Sequence, residues 1–279
     1  CFCTDVGAGS RELRCRVVTE RFPARVVRKW VAMAFISGSV NAGGLMACDR
    51  FVTHVTGFAT LAGMETGNRQ FRLAAGMLSV PIYFVLGVMV ASFFTDAAIL
   101  NGRKPQFRGL MYFAALLLVS AGVLGYFGYF TPFESPFQLR ADYPLLIMLC
   151  AASGLQNAVL TSASGGIVRA THLTGTTTDV GMGLVRALTC RHRPEIYSKE
   201  MHRATVRFAT ILGFIVGGLI GGTVFHYTQY LGFLMPAALA IYVGNVGFGQ
   251  VPGIAPVQVA AATTTPAGGI GMSQTASDK

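Results

Sequence analysis

The sequence predicts an all-α membrane protein: six transmembrane helices built as two inverted three-helix repeats, with short broken, re-entrant helices after spans one and four. Three observations predict it. The 279 residues are 52% hydrophobic and only 12% charged, with a mean hydropathy of +0.53, where a soluble domain carries roughly a quarter charged residues. The apolar residues fall in long runs, each approaching or meeting the roughly 20 residues a helix needs to cross hydrocarbon. One stretch also occurs twice: His54-Val55-Thr56-Gly57-Phe58-Ala59-Thr60-Leu61-Ala62-Gly63-Met64 and His172-Leu173-Thr174-Gly175-Thr176-Thr177-Thr178-Asp179-Val180-Gly181-Met182, identical at six of eleven positions.

A second echo precedes each copy. Ser37-Gly38-Ser39-Val40-Asn41-Ala42 pairs with Ser153-Gly154-Leu155-Gln156-Asn157-Ala158, and Asn and His stand 13 residues apart in the first copy and 15 in the second. Chance matching in a Gly- and Ala-rich chain yields Thr-Gly twice. It does not yield His, the second Thr, Gly-Met and Ser-Gly-x-x-Asn-Ala in one order, so an internal duplication is the reading.

The elements follow in order. Residues 1–30 hold seven Lys and Arg against Asp5, Glu12 and Glu20. With no apolar core before Trp30 this is a cytoplasmic basic tail rather than a signal peptide. The first repeat covers 31–130, with span one at 31–48, span two at 73–95 and span three at 109–130. A Pro-rich polar connector runs over 131–142. The second repeat covers 143–248, with span four at 143–162, span five at 204–225 and span six at 230–248. Residues 249–279 lack hydrophobic period and are expected to be disordered. Runs this long exclude barrel strands, and only closed hydrogen-bonded structures survive in lipid.

Orientation follows from charge. With the N-terminus inside, the tail, the 101–108 loop, the 169–207 region and the C-terminus hold 18 of the 22 Lys and Arg. The excess of basic residues on one side fixes N-in and C-in. The net charge of +10 is thereby used up at a membrane face. Nucleic acid is not an expected partner, because the cations interrupt apolar spans and form no stripe with interleaved aromatics.

Three spans per repeat is an odd number, so the second copy enters the membrane from the opposite side. Inverted repeats of this kind recur in secondary transporters, with the site near the midplane where broken helices face each other. The two copies meet only if each folds back into the bilayer. Thr56 and Thr174 are suited to N-cap the short helices that follow. Gly57 and Gly175 permit close approach or unusual backbone angles, and the helix N-termini would suit an anion or carboxylate.

With these residues in view, the chain resembles the YoaK-like family of bacterial inner-membrane proteins. The resemblance rests on Ser-Gly-x-x-Asn-Ala, His-Val-Thr-Gly-Phe-Ala-Thr, Gly154-Leu155-Gln156-Asn157-Ala158 and Thr171-His172-Leu173-Thr174-Gly175-Thr176, and covers about residues 31–248. It implies a multi-span protein of the inner membrane. It supplies no substrate and no catalytic residues.

The candidate substrate-binding set is Asn41, His54, Thr56, Gly57, Thr60, Gln156, Asn157, His172, Thr174, Gly175, Thr178 and Asp179. Two readings stand side by side for His54 and His172: a polar pair lining a pathway, or residues that cap loops. Asn41, Gln156 and Asn157 either contact solute or bond between helices. Asp179 has no acidic counterpart in the first copy, where Leu61 stands, and suits either a proton or cation site or an ion pair with Arg186. Gly213, Gly217 and Gly221, with Gly218 and Gly222, form Gly-x-x-x-Gly steps for close packing within the monomer or across a homodimer. The six cysteines make no Cys-x-x-Cys pair, and no Gly-x-x-x-x-Gly-Lys loop occurs. No catalytic residue, metal or cofactor is expected. The expected partners are the lipid bilayer and a small-molecule solute. A small secondary transporter for a small polar or anionic solute leads. An intramembrane enzyme using His54, His172 and Asp179, and a structural or regulatory membrane protein, are the alternatives.

Overall fold

A computed structural model describes residues 22–247. Within them every regular element is helical and no strand occurs. The helices are α1 (Ala24–Cys48), α2 (Val55–Gly67), α3 (Phe71–Phe94), α4 (Asp96–Leu100), α5 (Phe107–Tyr126), α6 (Leu139–Ala163), α7 (Leu173–Thr189), α8 (Pro194–Thr228) and α9 (Leu234–Val246). Five helical stretches are long and apolar enough to cross a membrane: Ala24–Cys48, Phe71–Leu100, Phe107–Tyr126, Leu139–Ala163 and Pro194–Val246. The last joins α8 to α9 through a 3-10 turn at Gln229–Phe233. Most of the expected basic tail and the whole of 249–279 lie outside the described residues, but residues 24–30 are the first turns of α1 rather than tail.

Two helices form the centre. In α1 and in α6, 67% of the apolar stretch is buried, against 22% for α3. The outward face of α3 shows Leu78, Ile82, Val85, Met89 and Phe93, the apolar surface of a helix whose solvent is lipid. Helices in lipid gain nothing from hiding apolar surface, so close backbone contact holds them together. The glycines supply it. A Cβ on Gly38 of α1 would collide with the Phe214 carbonyl of α8, and one on Gly217 with the Phe35 carbonyl. Gly154 of α6 and Gly87 of α3 meet the Phe84 and Ala151 carbonyls in the same way. Gly213, Gly217 and Gly221 are therefore spent within the chain against Val31, Phe35 and Ser39, while Gly222 faces open space.

These contacts set directions. Val31, Phe35, Ser39 and Gly43 of α1 meet Gly213, Gly217, Gly221 and Phe225 of α8 in rising order, so the two helices are parallel. Gly76 and Ser79 of α3, and Thr95 that caps it, meet Leu139, Tyr143 and Ser162 of α6, also in rising order. α1 and α6 are antiparallel. Met46 near the end of α1 accepts the Glu134 N–H at 2.9 Å, and Arg50 lies over Phe137 at 4.8 Å, just before α6 begins. At the other end, Arg207 of α8 donates to the Ile167 carbonyl beyond α6, and Phe22 before α1 donates to His202. After the 3-10 turn, α9 runs back along α1, and Lys29 donates to the Gly247 carbonyl.

The packing forms matched sets. α1 lies along α8 as α6 lies along α3; α2 docks on α3 as α7 docks on α8; α1 touches α6, and α5 touches α9. The connector between the halves is pinned by Asp142, fully buried in the first turn of α6. Its carboxylate accepts Thr131 N–H (3.0 Å), Thr131 Oγ (2.6 Å) and Gln138 N–H (2.8 Å). Tyr230 of the 3-10 turn donates to the Thr131 carbonyl at 2.6 Å. Three donors satisfy a carboxylate that hydrocarbon would otherwise leave bare.

Candidate functional site

The site is built from the two places where the chain turns back. α1 ends at Asp49, which takes a left-handed conformation (φ 51°) that breaks the helix. The chain then returns along the bundle, and Asn41, seven residues before the helix end, holds it. Its side-chain oxygen accepts Thr53 N–H at 3.2 Å and Thr53 Oγ at 2.8 Å. Seven helical residues span about 10 Å, so α2 starts that far in from the end of α1. After α6 the same happens: the Asn157 side-chain oxygen accepts Thr171 N–H at 3.3 Å, six residues before the helix end. Val52 is buried in the first returning segment, and its carbonyl accepts Cys150 Sγ of α6 at 3.5 Å.

The histidines follow these anchored threonines directly. His54 opens α2 and His172 opens α7, each with its backbone carbonyl and neither with a side-chain cap. The His54 carbonyl accepts Gly57 N–H at 3.1 Å, and the His172 carbonyl accepts Thr176 N–H (3.1 Å) and Oγ (2.8 Å). The expectation that Thr56 and Thr174 are N-caps is thereby corrected, since helix already begins at Val55 and Leu173. Both threonines are exposed, and their carbonyls accept Thr60 Oγ (3.5 Å) and Thr178 Oγ (3.0 Å) one turn on. Thr60 and Thr178 are exposed as well.

The half-buried His54 has Thr53 Oγ 3.3 Å from Nδ1 and Phe51 at its edge. His172 is exposed, and its ring lies over Gly175, where any Cβ would strike it. Gly175 is thus a close approach, as expected. Gly57 is not: its backbone is helical and nothing lies near the place of its missing Cβ. Asp179 pairs with Arg207 of α8 at 3.3 Å rather than with Arg186. Gln156 is buried and its Nε2 has no hydrogen-bond partner.

The structure therefore gathers the expected residues into two groups. Asn41 and His54 stand at one turn, and Asn157, His172 and Gly175 at the other. α2 packs on α3 and α7 on α8, and among the described residues no hydrogen bond or ring contact joins His54 to His172. Nor does any group of three His, Cys, Asp or Glu there stand where it could hold a metal. Sequence reasoning missed Thr53 and Thr171 as anchor points, and Asp142 as a buried carboxylate. The signal for the first two was present, because Thr precedes His in both copies.

A family model described as a protein of unknown function (DUF1275) covers residues 30–246. No curated protein and no solved structure matches the chain.

Proposed function

The chain belongs to the DUF1275 family of proteins of unknown function, and from its geometry we propose that it is a small secondary transporter, moving a small polar or anionic solute through the interface of two inverted three-helix repeats. In this reading α1, α3 and α5 cross the membrane in one half, and α6, α8 and α9 in the other, six crossings in all. Its thirteen residues make α9 short, about 20 Å at helical rise, and the 3-10 turn before it adds the remaining depth. Both termini are then cytoplasmic. The resemblance to YoaK-like bacterial proteins supports an inner-membrane location in this reading.

The observation that carries the reading is the exchange pattern of the packing together with the antiparallel α1 and α6. Swapping the halves turns α1–α8 into α6–α3 and α2–α3 into α7–α8, and leaves α1–α6 and α5–α9 as they are. The returning turns enter from opposite ends, each tied to the central helix of its own half. Irregular backbone at membrane depth is tolerated where protein buries it or a wet cavity meets it, and interrupted helices in both halves mark binding sites in transporters built this way.

Reconstituted protein tests it directly. Proteoliposomes given a metabolite pool, with and without an imposed pH gradient, are washed and their contents analysed by mass spectrometry. At least one small polar or anionic solute enriched over protein-free vesicles is expected. Vesicle contents indistinguishable from the protein-free control under both conditions would overturn the proposal.

A further inference from the structure

Polar atoms buried in a membrane protein find hydrogen-bond partners, because hydrocarbon offers no substitute for water. Among the described residues several such atoms have none. Ser37 Oγ on α1, and Ser153 Oγ and Gln156 Nε2 on α6, are buried without a partner; Ser37 and Gln156 are 1% exposed and Ser153 2%.

Their placement is shared. Ser37, Asn41 and Gly44 recur at helical spacing and lie on one face of α1. Asn41 on that face binds Thr53, and Gly44 lies against Val52, whose carbonyl accepts Cys150 of α6. Ser153, Gln156 and Asn157 likewise share a face of α6, the one that holds the second turn through Thr171. Because Thr53 sits at the depth of Asn41, residue 150 of α6 stands about level with residue 41 of α1. The helices are antiparallel, so four residues back along α1 and four onward along α6 bring Ser37 level with 153–154. The two serines also occupy equivalent positions of the duplicated Ser-Gly-x-x-Asn-Ala stretch. Each is one turn deeper than its anchoring asparagine, so both stand between the two returning turns. Ser39, another buried hydroxyl without a partner, faces Gly221 of α8 and stands apart.

The geometry points to a binding site for a small uncharged polar solute, an amide or a polyol, held between α1 and α6 by Ser37, Ser153 and Gln156. It rests on the transporter reading and narrows its substrate class. The Gln156 amide nitrogen donates, and each hydroxyl both donates and accepts, so a neutral solute carrying acceptors and donors replaces the missing partners. None of the three carries charge. An ion stripped of water there would lack a counter-charge, which membrane interiors penalise heavily. Gly38 and Gly154, beside the serines, draw the α8 and α3 backbones against the flanks, so the site is closed in this conformation.

Full-length protein in proteoliposomes is assayed with radiolabelled urea, glycerol and acetamide as neutral probes, and formate and nitrate as anionic ones. The double variant Ser37→Ala/Ser153→Ala and the variant Gln156→Leu are compared with wild type, and thermal midpoints in detergent are recorded for each. The expected result is uptake of a neutral probe by wild type and a loss of about tenfold or more in both variants. Their midpoints stay equal or rise, since an unpaired buried polar group has been removed. Variants that keep wild-type uptake, or a wild type that admits only the anions, overturn the site and leave the transporter reading standing. A lowered midpoint in the serine variant also overturns it, because the hydroxyls are then structural. Wild-type vesicles closed to all three neutral probes overturn it as well, and the metabolite screen decides separately whether transport itself falls.

Discussion

After α1 the chain is held by an asparagine that is itself buried and accepts two hydrogen bonds from one threonine; after α6 the equivalent Asn157 is half-exposed and accepts one, at 3.3 Å. The first turn continues into thirteen residues of helix that make no ion pair among the described residues, with Leu61 where the second copy has Asp179. The second continues into seventeen residues, tied to α8 by Asp179 and Arg207. His54 is tucked beside Thr53 and Phe51, whereas His172 is exposed over Gly175. One duplicated device has thus been stabilised twice by different means: buried neutral hydrogen bonds on one side, a charge pair on the other. The positions of the cations account for it. The second turn lies in the Arg-rich region from 169 to 207, where a carboxylate finds a partner; at the first, Arg50 pairs with its neighbour Asp49 at 3.0 Å and lies over Phe137.

Substitutions sharpen this contrast. The largest effect is expected where the halves are alike. Gly38→Val and Gly154→Val each push a side chain into a facing carbonyl, at a cost of about 3 kcal/mol, and both should lower the thermal midpoint in detergent strongly and similarly. A tolerated valine at either position would break the equivalence. Next comes the contrast between anchors. Asn41→Ala leaves two donors of a buried threonine unpaired and should cost about 2–3 kcal/mol, against about 1 kcal/mol for Asn157→Ala; equal losses in thermal unfolding would erase the distinction. A smaller effect belongs to the charge pair. Asp179 is partly exposed, so Asp179→Asn should cost no more than about 1 kcal/mol and lose even that in high salt; a larger, salt-independent loss would mark a role beyond the pair.

Much of the architecture was legible because lipid makes simple demands. The apolar runs located the helices, though α1 begins at Ala24 and α8 at Pro194, well before the runs do. A helix carries its own hydrogen bonds past the membrane edge, so hydropathy alone stops short of its true start. The Ser-Gly-x-x-Asn-Ala echo identified Asn41 and Asn157, and both do the same work. Thr56 and Gly57 were over-read: the helix opens two residues earlier, at the carbonyl of the histidine. Asp142 read only as the end of the polar connector, because its three donors come from Thr131 and Gln138, a contact made by folding rather than by spacing. The lack of partners at Ser37, Ser153 and Gln156 was likewise invisible, since it depends on what α1 and α6 place opposite them.

Side-specific labelling tests the proposed inverted repeat most directly. In a background without native cysteines, Thr60→Cys on α2 and Thr178→Cys on α7, both exposed positions, are treated with a membrane-impermeant maleimide in intact cells and in inverted vesicles. Thr60→Cys should react only from the outside and Thr178→Cys only from the cytoplasmic side. Reaction of both from the same side would contradict the account.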